Sequence, residues 1–277
     1  MPELPEVETV RTGLTNLVEG STINRVEVIY PKMINVAPEV FKNSLAGRKI
    51  IKIDRRGKYL LFRFDNNITL VSHLRMEGKY DVETEGTAPG KHTHIIFHLN
   101  DDRELRYNDS RKFGRMYLIH NGEEHTLSGL GTLGPEPTEQ DLTFEYLKKI
   151  MNKSRGKIKP FLLNQSHLAG LGNIYVDEVL WMSKIHPETT TSLISDDEIK
   201  SLRNNIIEEM KNAIKGHGTT VHSYSNAYGE AGQFQDKLKV YGRKGQPCFR
   251  CGSKIEKTVV AQRGTHFCPK CQIKVIK

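Results

Sequence analysis

The sequence predicts an α+β protein: an N-terminal antiparallel β-sandwich with an N-terminal helix, then a helical domain that closes in a C-terminal zinc ribbon. Three observations carry this. Short β-rich runs follow one another from Ser21 to about His120 with turn residues between them, the pattern of stacked antiparallel strands. After about residue 140 the apolar period becomes helical. All four cysteines lie in the last thirty residues, in two Cys-x2-Cys pairs.

The elements follow in order. Residues 5–18 place Val7, Val10, Leu14, Leu17 and Val18 on one face, the mark of an amphipathic helix. The expected strands are 22–30, 49–54, 59–64, 68–74, 79–82, 93–99, 104–107 and 116–119, with Asp65-Asn66-Asn67 as a hairpin tip. These make a domain over 2–120. The segment 121–139, with its glycines, Pro135 and Pro137, is the expected linker. Helices are expected at 142–151, 159–164 and 173–182, and a longer one after Ser195, which with Glu198 forms a capping box. Residues 217–234 lack periodicity and carry four glycines, a length of loop that usually serves function. The helical domain is thus expected over 140–235 and the ribbon over 238–277.

Composition bounds the function. The 277 residues suffice for two domains, and a formal charge of +8 favours a polyanion as partner. No apolar run approaches the roughly eighteen residues of a membrane span, and the N-terminus is acidic, so neither anchor nor secretion signal is expected and the protein is read as cytoplasmic. In that compartment Cys248, Cys251, Cys268 and Cys271 are expected to bind one structural zinc in a closed four-thiolate site rather than form disulfides.

The first eight residues, Met-Pro-Glu-Leu-Pro-Glu-Val-Glu, admit two readings. One is a capped helix start, with Pro5 in the first turn and acidic residues favoured by the dipole. The other is catalytic: removal of Met1 turns the Pro2 ring nitrogen into a terminal secondary amine, which forms a cationic iminium with an aldehyde-level carbon, beside Glu3 as acid or base. Further along, Arg55-Arg56-Gly57-Lys58-Tyr59 reads either as a solvated turn or as a phosphate ligand set. Met76 beside Arg75 at a turn reads either as a core methionine, the more common fate of the residue type, or as a wedge for a base stack, and Arg111 with Phe113 in a tight loop suits filling the gap of an extruded nucleotide. Ala169-Gly170-Leu171-Gly172-Asn173 reads either as a tight turn or as backbone N–H groups offered to a phosphate at a helix start. Gln262-Arg263-Gly264-Thr265 is expected at the tip of the ribbon hairpin. His92, His94 and His98 are read as a half-exposed polar strand face in preference to a metal site.

Together these motifs closely resemble the formamidopyrimidine-DNA glycosylase/endonuclease VIII (Fpg/Nei) family, over nearly the whole chain: Pro2 to Thr9, Arg56-Gly57-Lys58-Tyr59-Leu60, Ser72-His73-Leu74-Arg75-Met76, Arg111-Lys112-Phe113-Gly114, Ala169 to Tyr175, and the four-cysteine ribbon with Arg263-Gly264-Thr265. The resemblance implies a helix–two-turns–helix architecture for the helical domain, and duplex DNA clamped between it and the sandwich. It implies a base-excision enzyme, a DNA glycosylase and abasic-site lyase that removes oxidised purines through a Pro2 Schiff base and cuts the strand by β,δ-elimination. Pro2, Glu3, Lys58 and Arg263 form the implied catalytic set. His73, Met76, Arg111, Phe113, Asn173, Lys159 and Tyr241 are the implied DNA-binding residues, Lys58, His73, Asn173 and Arg263 clamping phosphates. Glu77, Thr219, Thr220 and Tyr224 are the implied lesion contacts. No catalytic cofactor is implied; the partner is damaged double-stranded DNA, not a membrane, and the chain is expected to act as a monomer. An endonuclease VIII-type enzyme for oxidised pyrimidines and a non-catalytic DNA-damage binder are the alternatives. The family more often has aspartate where Asn164 stands.

Overall fold

The computed structural model describes residues 1–219 and 234–275. They form two compact units: Met1–Gly131 with the segment that begins at Gly216, and Thr132–Lys215 with the segment from Phe234 onward.

In the first unit, helix α1 (Leu4–Val18) precedes β1 (Thr22–Val28), α2 (Pro38–Leu45), β2 (Arg48–Arg56), β3 (Tyr59–Phe64), β4 (Ile68–His73), β5 (Lys79–Thr84), β6 (Thr93–Leu99), β7 (Arg103–Asn108) and β8 (Arg115–His120). All eight expected strands are present. Their antiparallel order is β5-β7-β6-β1-β2-β3-β4-β8, with β1 and β2 sharing only the pairs Thr22↔Lys49 and Ile23↔Arg48. The four strands on either side of that short seam form the two layers. Alternate residues from both, such as Ile95 and Phe97 of β6 and Leu60 and Phe62 of β3, meet in one core with Val7, Val10 and Leu14 of α1. Period two in the strands and 3.6 in the helix aim these side chains at the same volume.

Helix α2 has no counterpart among the sequence-based expectations. It buries only Phe41 and Leu45, one turn apart, and starts on Pro38, whose missing N–H costs nothing there. The expected polar face of β6 is also corrected: His94 and His98 are buried, His94 Nε2 lying 2.8 Å from the Asp109 carbonyl and His98 set among Glu27, Glu85 and Glu104.

The second unit contains α3 (Phe144–Asn152), α4 (Ile158–Leu163), α5 (Asn173–Met182) and α6 (Asp196–Lys215), then the ribbon strands β9 (Glu256–Val260) and β10 (Arg263–Phe267). Thr143 Oγ1 accepts the Tyr146 N–H at 3.1 Å and sets the start of α3; Ser195 and Glu198 make the expected capping box at α6. Asn164 ends α4, and its Oδ1 accepts from the N–H and hydroxyl of Ser166 at 3.0 and 2.9 Å. An aspartate would accept the same two bonds. The ribbon turn is Ala261-Gln262, both with positive φ, so Arg263 is the first residue of β10 opposite Val260 and not the tip itself.

Candidate active site and nucleic-acid interface

In the first unit the chain's start is fixed by a reciprocal cap. The Glu3 N–H donates to Glu6 Oε2 at 2.8 Å, and the Glu3 side chain in return accepts the Glu6 N–H. Pro2, Glu3 and Glu6 are all buried, while Met1 is 44% exposed. The capped-helix reading and the catalytic reading therefore describe the same atoms: the cap that ends α1 immobilises the residue next to the prospective amine. Glu6 Oε1 accepts the Thr219 N–H at 2.7 Å and its hydroxyl at 3.2 Å. Gly218, at φ +72°, must be glycine here, because a Cβ would lie 2.6 Å from Glu6 Oε1. Thr219 is thus one residue removed from Glu3 in the hydrogen-bond network. Thr220 and Tyr224 lie outside the described residues.

Lys58 sits in the two-residue turn between β2 and β3, where Gly57 supplies the positive φ a tight hairpin needs. The solvated-turn reading is corrected: Lys58 is buried, and Arg55 Nε donates to Glu8 Oε2 of α1 at 2.8 Å. His73 is the cross-strand partner of Tyr59, their rings edge to face at 4.5 Å. Burial, reinforced by the charges of Arg75 and Lys58, drives its pKa down to about 3, so the ring is neutral at physiological pH. The Arg75 N–H donates to His73 Nδ1 at 3.0 Å, which leaves the proton on Nε2 as a donor for an anion.

Two turns of this unit present large side chains to solvent. Arg75 adopts φ +57° and Met76 is 39% exposed, with Glu77 half-buried beside it. In the other, Asp109 is fully buried; its Oδ1 accepts the Arg111 N–H at 2.9 Å and its Oδ2 the Gly114 N–H at 2.8 Å. This double acceptance closes the loop and pushes its middle outward. Phe113 is 47% exposed, and the Arg111 guanidinium lies 4.9 Å from its ring centre. Exposing two apolar side chains beside cations is costly in water and useful against stacked bases.

In the second unit, Gly172 caps α5 and Asn173 is its first residue. Asn173 Nδ2 and Lys159 Nζ both donate to the Gly264 carbonyl, at 2.9 and 3.0 Å, so this unit brings Asn173 and the Arg263 strand together. Lys159 is corrected as a DNA-contacting residue. It is entirely buried, and its ammonium pairs with Asp177 Oδ1 at 2.6 Å. Asp177 Oδ2 accepts the His266 N–H at 2.8 Å, so one buried carboxylate ties α4 and α5 to β10. The half-buried Tyr241 packs edge on to His266 at 5.0 Å, and its N–H donates to Glu178 Oε1 at 2.8 Å.

The four cysteines are free thiols whose sulfurs all lie within 4.8 Å of one another, with 3.4 Å between those of Cys251 and Cys268 and 4.0 Å between those of Cys248 and Cys271. Tetrahedral zinc with bonds of about 2.3 Å requires sulfurs about 3.8 Å apart, so the set fits a closed structural site. The Trp181 Nε1–H donates to Cys248 Sγ at 3.3 Å, the outer support such ligands usually have. Among the described residues one other cluster has ligand spacing, Glu85, His98 and Glu104. Its carboxylates are matched by side-chain cations: Arg106 pairs with Glu104, and Arg25 with Glu85.

Glu6, Asp109 and Asp177 were not singled out from the sequence as organisers of the site. Only Glu6 carried a signal there, as an acidic residue in a first helical turn.

Residues 1–116 match the formamidopyrimidine-DNA glycosylase N-terminal domain, 133–225 the formamidopyrimidine-DNA glycosylase H2TH domain, and 245–273 the zinc finger found in FPG and IleRS. A formamidopyrimidine-DNA glycosylase of Lactiplantibacillus plantarum is 64% identical over 269 residues, 97% of this chain and 98% of that one. A Lactococcus lactis FPG mutant in complex with Fapy-dG-containing DNA superposes with a TM-score of 0.94 at 45% identity, covering 99% and 100% of the two chains. A MutM complex with DNA containing carbocyclic 8-oxo-G gives 0.93 at 45% identity over the same shares.

Proposed function

The chain belongs to the formamidopyrimidine-DNA glycosylase family, and on that footing we propose how its own residues carry out excision and strand cleavage. It is a DNA repair glycosylase and abasic-site lyase with a structural zinc finger, and damaged duplex DNA is its partner. The Pro2 nitrogen, freed by loss of Met1, attacks the anomeric carbon of an oxidised purine nucleotide. The glycosidic bond breaks, and the base leaves with the electron pair and gains a proton. Glu3 protonates the sugar ring oxygen as the ring opens, which gives an iminium between Pro2 and the sugar. That cation acidifies the neighbouring carbon; loss of its proton expels the 3′ phosphate, and a second elimination expels the 5′ phosphate.

The observation that carries this reading is the reciprocal cap. Glu6 holds Glu3 by its backbone at 2.8 Å, so the acid and the amine beside it are buried and preorganised before any substrate arrives. Lys58, the neutral His73, Asn173 and Arg263 take phosphates, and Met76, Arg111 and Phe113 fill the stack that the flipped nucleotide leaves. Among the described residues no helix is long and apolar enough to cross a membrane. With bacterial relatives, a cytoplasmic site of action on the chromosome is the corresponding proposal.

The test is cleavage of a duplex with one 8-oxoguanine opposite cytosine, beside one with an oxidised pyrimidine. The expected result is a one-nucleotide gap with phosphate at both ends, formed faster on the purine lesion. Tight binding without cleavage, or preference for the pyrimidine, overturns the reading.

A further inference from the structure

Tyr107, near the end of β7, is 1% exposed, and its ring packs at 5.1 Å on that of Tyr80, which donates its hydroxyl to Ser72 Oγ at 2.8 Å. The Tyr107 hydroxyl has a different environment. Its oxygen is buried with no hydrogen-bond partner among the described residues. It lies against two glycines from separate turns: a Cβ on Gly78 would come within 2.2 Å of it, and a Cβ on Gly114 within 1.8 Å. Neither glycine has a positive φ, so both positions are glycine for space and not for backbone conformation. At Gly78 the Leu74 carbonyl adds to the crowding, at 2.5 Å from such a Cβ.

Those glycines end the two turns that carry the exposed side chains. Gly78 closes the Met76 turn, its N–H donating to the Leu74 carbonyl at 3.0 Å; Gly114 closes the Arg111–Phe113 loop on Asp109 Oδ2. A buried hydroxyl without a partner costs stability that phenylalanine would not. Its place against both turn ends gives it a role in spacing instead. We propose that Tyr107 is a positioning residue for lesion extrusion: its oxygen is the common stop that holds the Met76 turn and the Arg111–Phe113 loop at one separation, so that three side chains enter the base stack as a single wedge. This rests on the excision reading above. Because the stop belongs to the rigid aromatic pair Tyr80–Tyr107, the separation is set by the sheet and not by the loops.

The test is Tyr107→Phe, which removes one atom. Single-turnover rates are compared on a duplex with 8-oxoguanine, which must be unstacked, and on one with a preformed abasic site, which has no base to extrude. The expected result is about tenfold slower excision of 8-oxoguanine, with abasic-site cleavage within about twofold of wild type and melting temperature equal or higher. Combined with Phe113→Ala, the loss on 8-oxoguanine is less than multiplicative, because both changes blunt the same wedge. An equal loss on both substrates together with a lowered melting temperature reduces Tyr107 to a packing role, and unchanged rates on both remove the role altogether. Either result overturns the proposal. Wild-type protein inactive on both substrates would instead overturn the excision reading, and the wedge with it.

Discussion

Glu6 in the first unit and Asp177 in the second are both buried carboxylates that hold a functional segment from below, but they hold it by different means. Among the described residues Glu6 accepts from neutral groups, the N–H groups of Glu3 and Thr219 and the Thr219 hydroxyl. Asp177 accepts one charged donor, the wholly buried ammonium of Lys159, and one neutral N–H from His266. A carboxylate paired with a buried cation cannot be changed alone without leaving that cation uncompensated. One held by neutral donors can be adjusted in smaller steps. The buried ion pair suits a framework that keeps Arg263 and Asn173 in one place, and the neutral set suits a joint between the chain's start and the segment at Thr219.

The comparison predicts effects of unequal size. Asp177→Asn is expected to cost the second unit about 3–5 kcal/mol, since Lys159 is left charged in a dry interior. A denaturation curve with an unshifted second-unit transition would show that Lys159 finds another partner. Glu6→Gln keeps the shape and one strong acceptor, so the expected cost is about 1–3 kcal/mol, with slower excision because Glu3 is less firmly held. The two variants together distinguish stability from chemistry: Asp177→Asn should act mainly on folding and DNA affinity, Glu6→Gln mainly on the rate at saturating DNA.

A third buried carboxylate sharpens the contrast. Glu209 of α6 has its pKa pushed up to about 8 by burial, with the charge of Glu178 adding to the shift. Below that value the folded chain holds it neutral, whereas an unfolded glutamate ionises near 4.5. Between those limits the folded state binds the extra proton, so this group's contribution to stability falls as pH rises from about 4.5 to about 8. Glu209→Gln should thus match wild type near pH 5 and exceed it in melting temperature near pH 8. A constant difference across that range would contradict the assignment. His73 acts in the opposite sense: its folded pKa of about 3 lies below the ordinary 6.5, so its contribution is lost as pH falls through that interval.

The same contrast governs how much of the molecule was legible in its sequence. The eight strands were readable as β-rich runs between turn residues, and the helices α1, α3, α4, α5 and α6 from apolar residues at helical spacing and from start signals such as the Ser195–Glu198 capping box. Helix α2 was not, since it buries two side chains in eight residues. The ribbon turn lay two residues before the expected place, because Ala261 and Gln262 take positive φ without the glycine or asparagine that advertises it. In the site, the zinc ligands were legible from spacing, whereas the residues around Pro2 and Glu3 read equally as a helix cap, and the family resemblance was what favoured the catalytic reading. Lys159 was misread because a lysine advertises charge and not its burial, and its partner Asp177 lies eighteen residues on. The link from Glu6 to Thr219 spans 213 residues, beyond any local pattern.

The central claim is that the Pro2 nitrogen forms the covalent bond to the sugar. The direct measurement is borohydride reduction of the protein on a duplex carrying 8-oxoguanine opposite cytosine, followed by peptide mapping of the adduct and mass measurement of the N-terminus. The expected result is a trapped protein–DNA species whose modified residue is Pro2, formed only by chains that have lost Met1. No adduct from Met1-free, zinc-loaded protein, or an adduct mapped to a lysine such as Lys58, would contradict it.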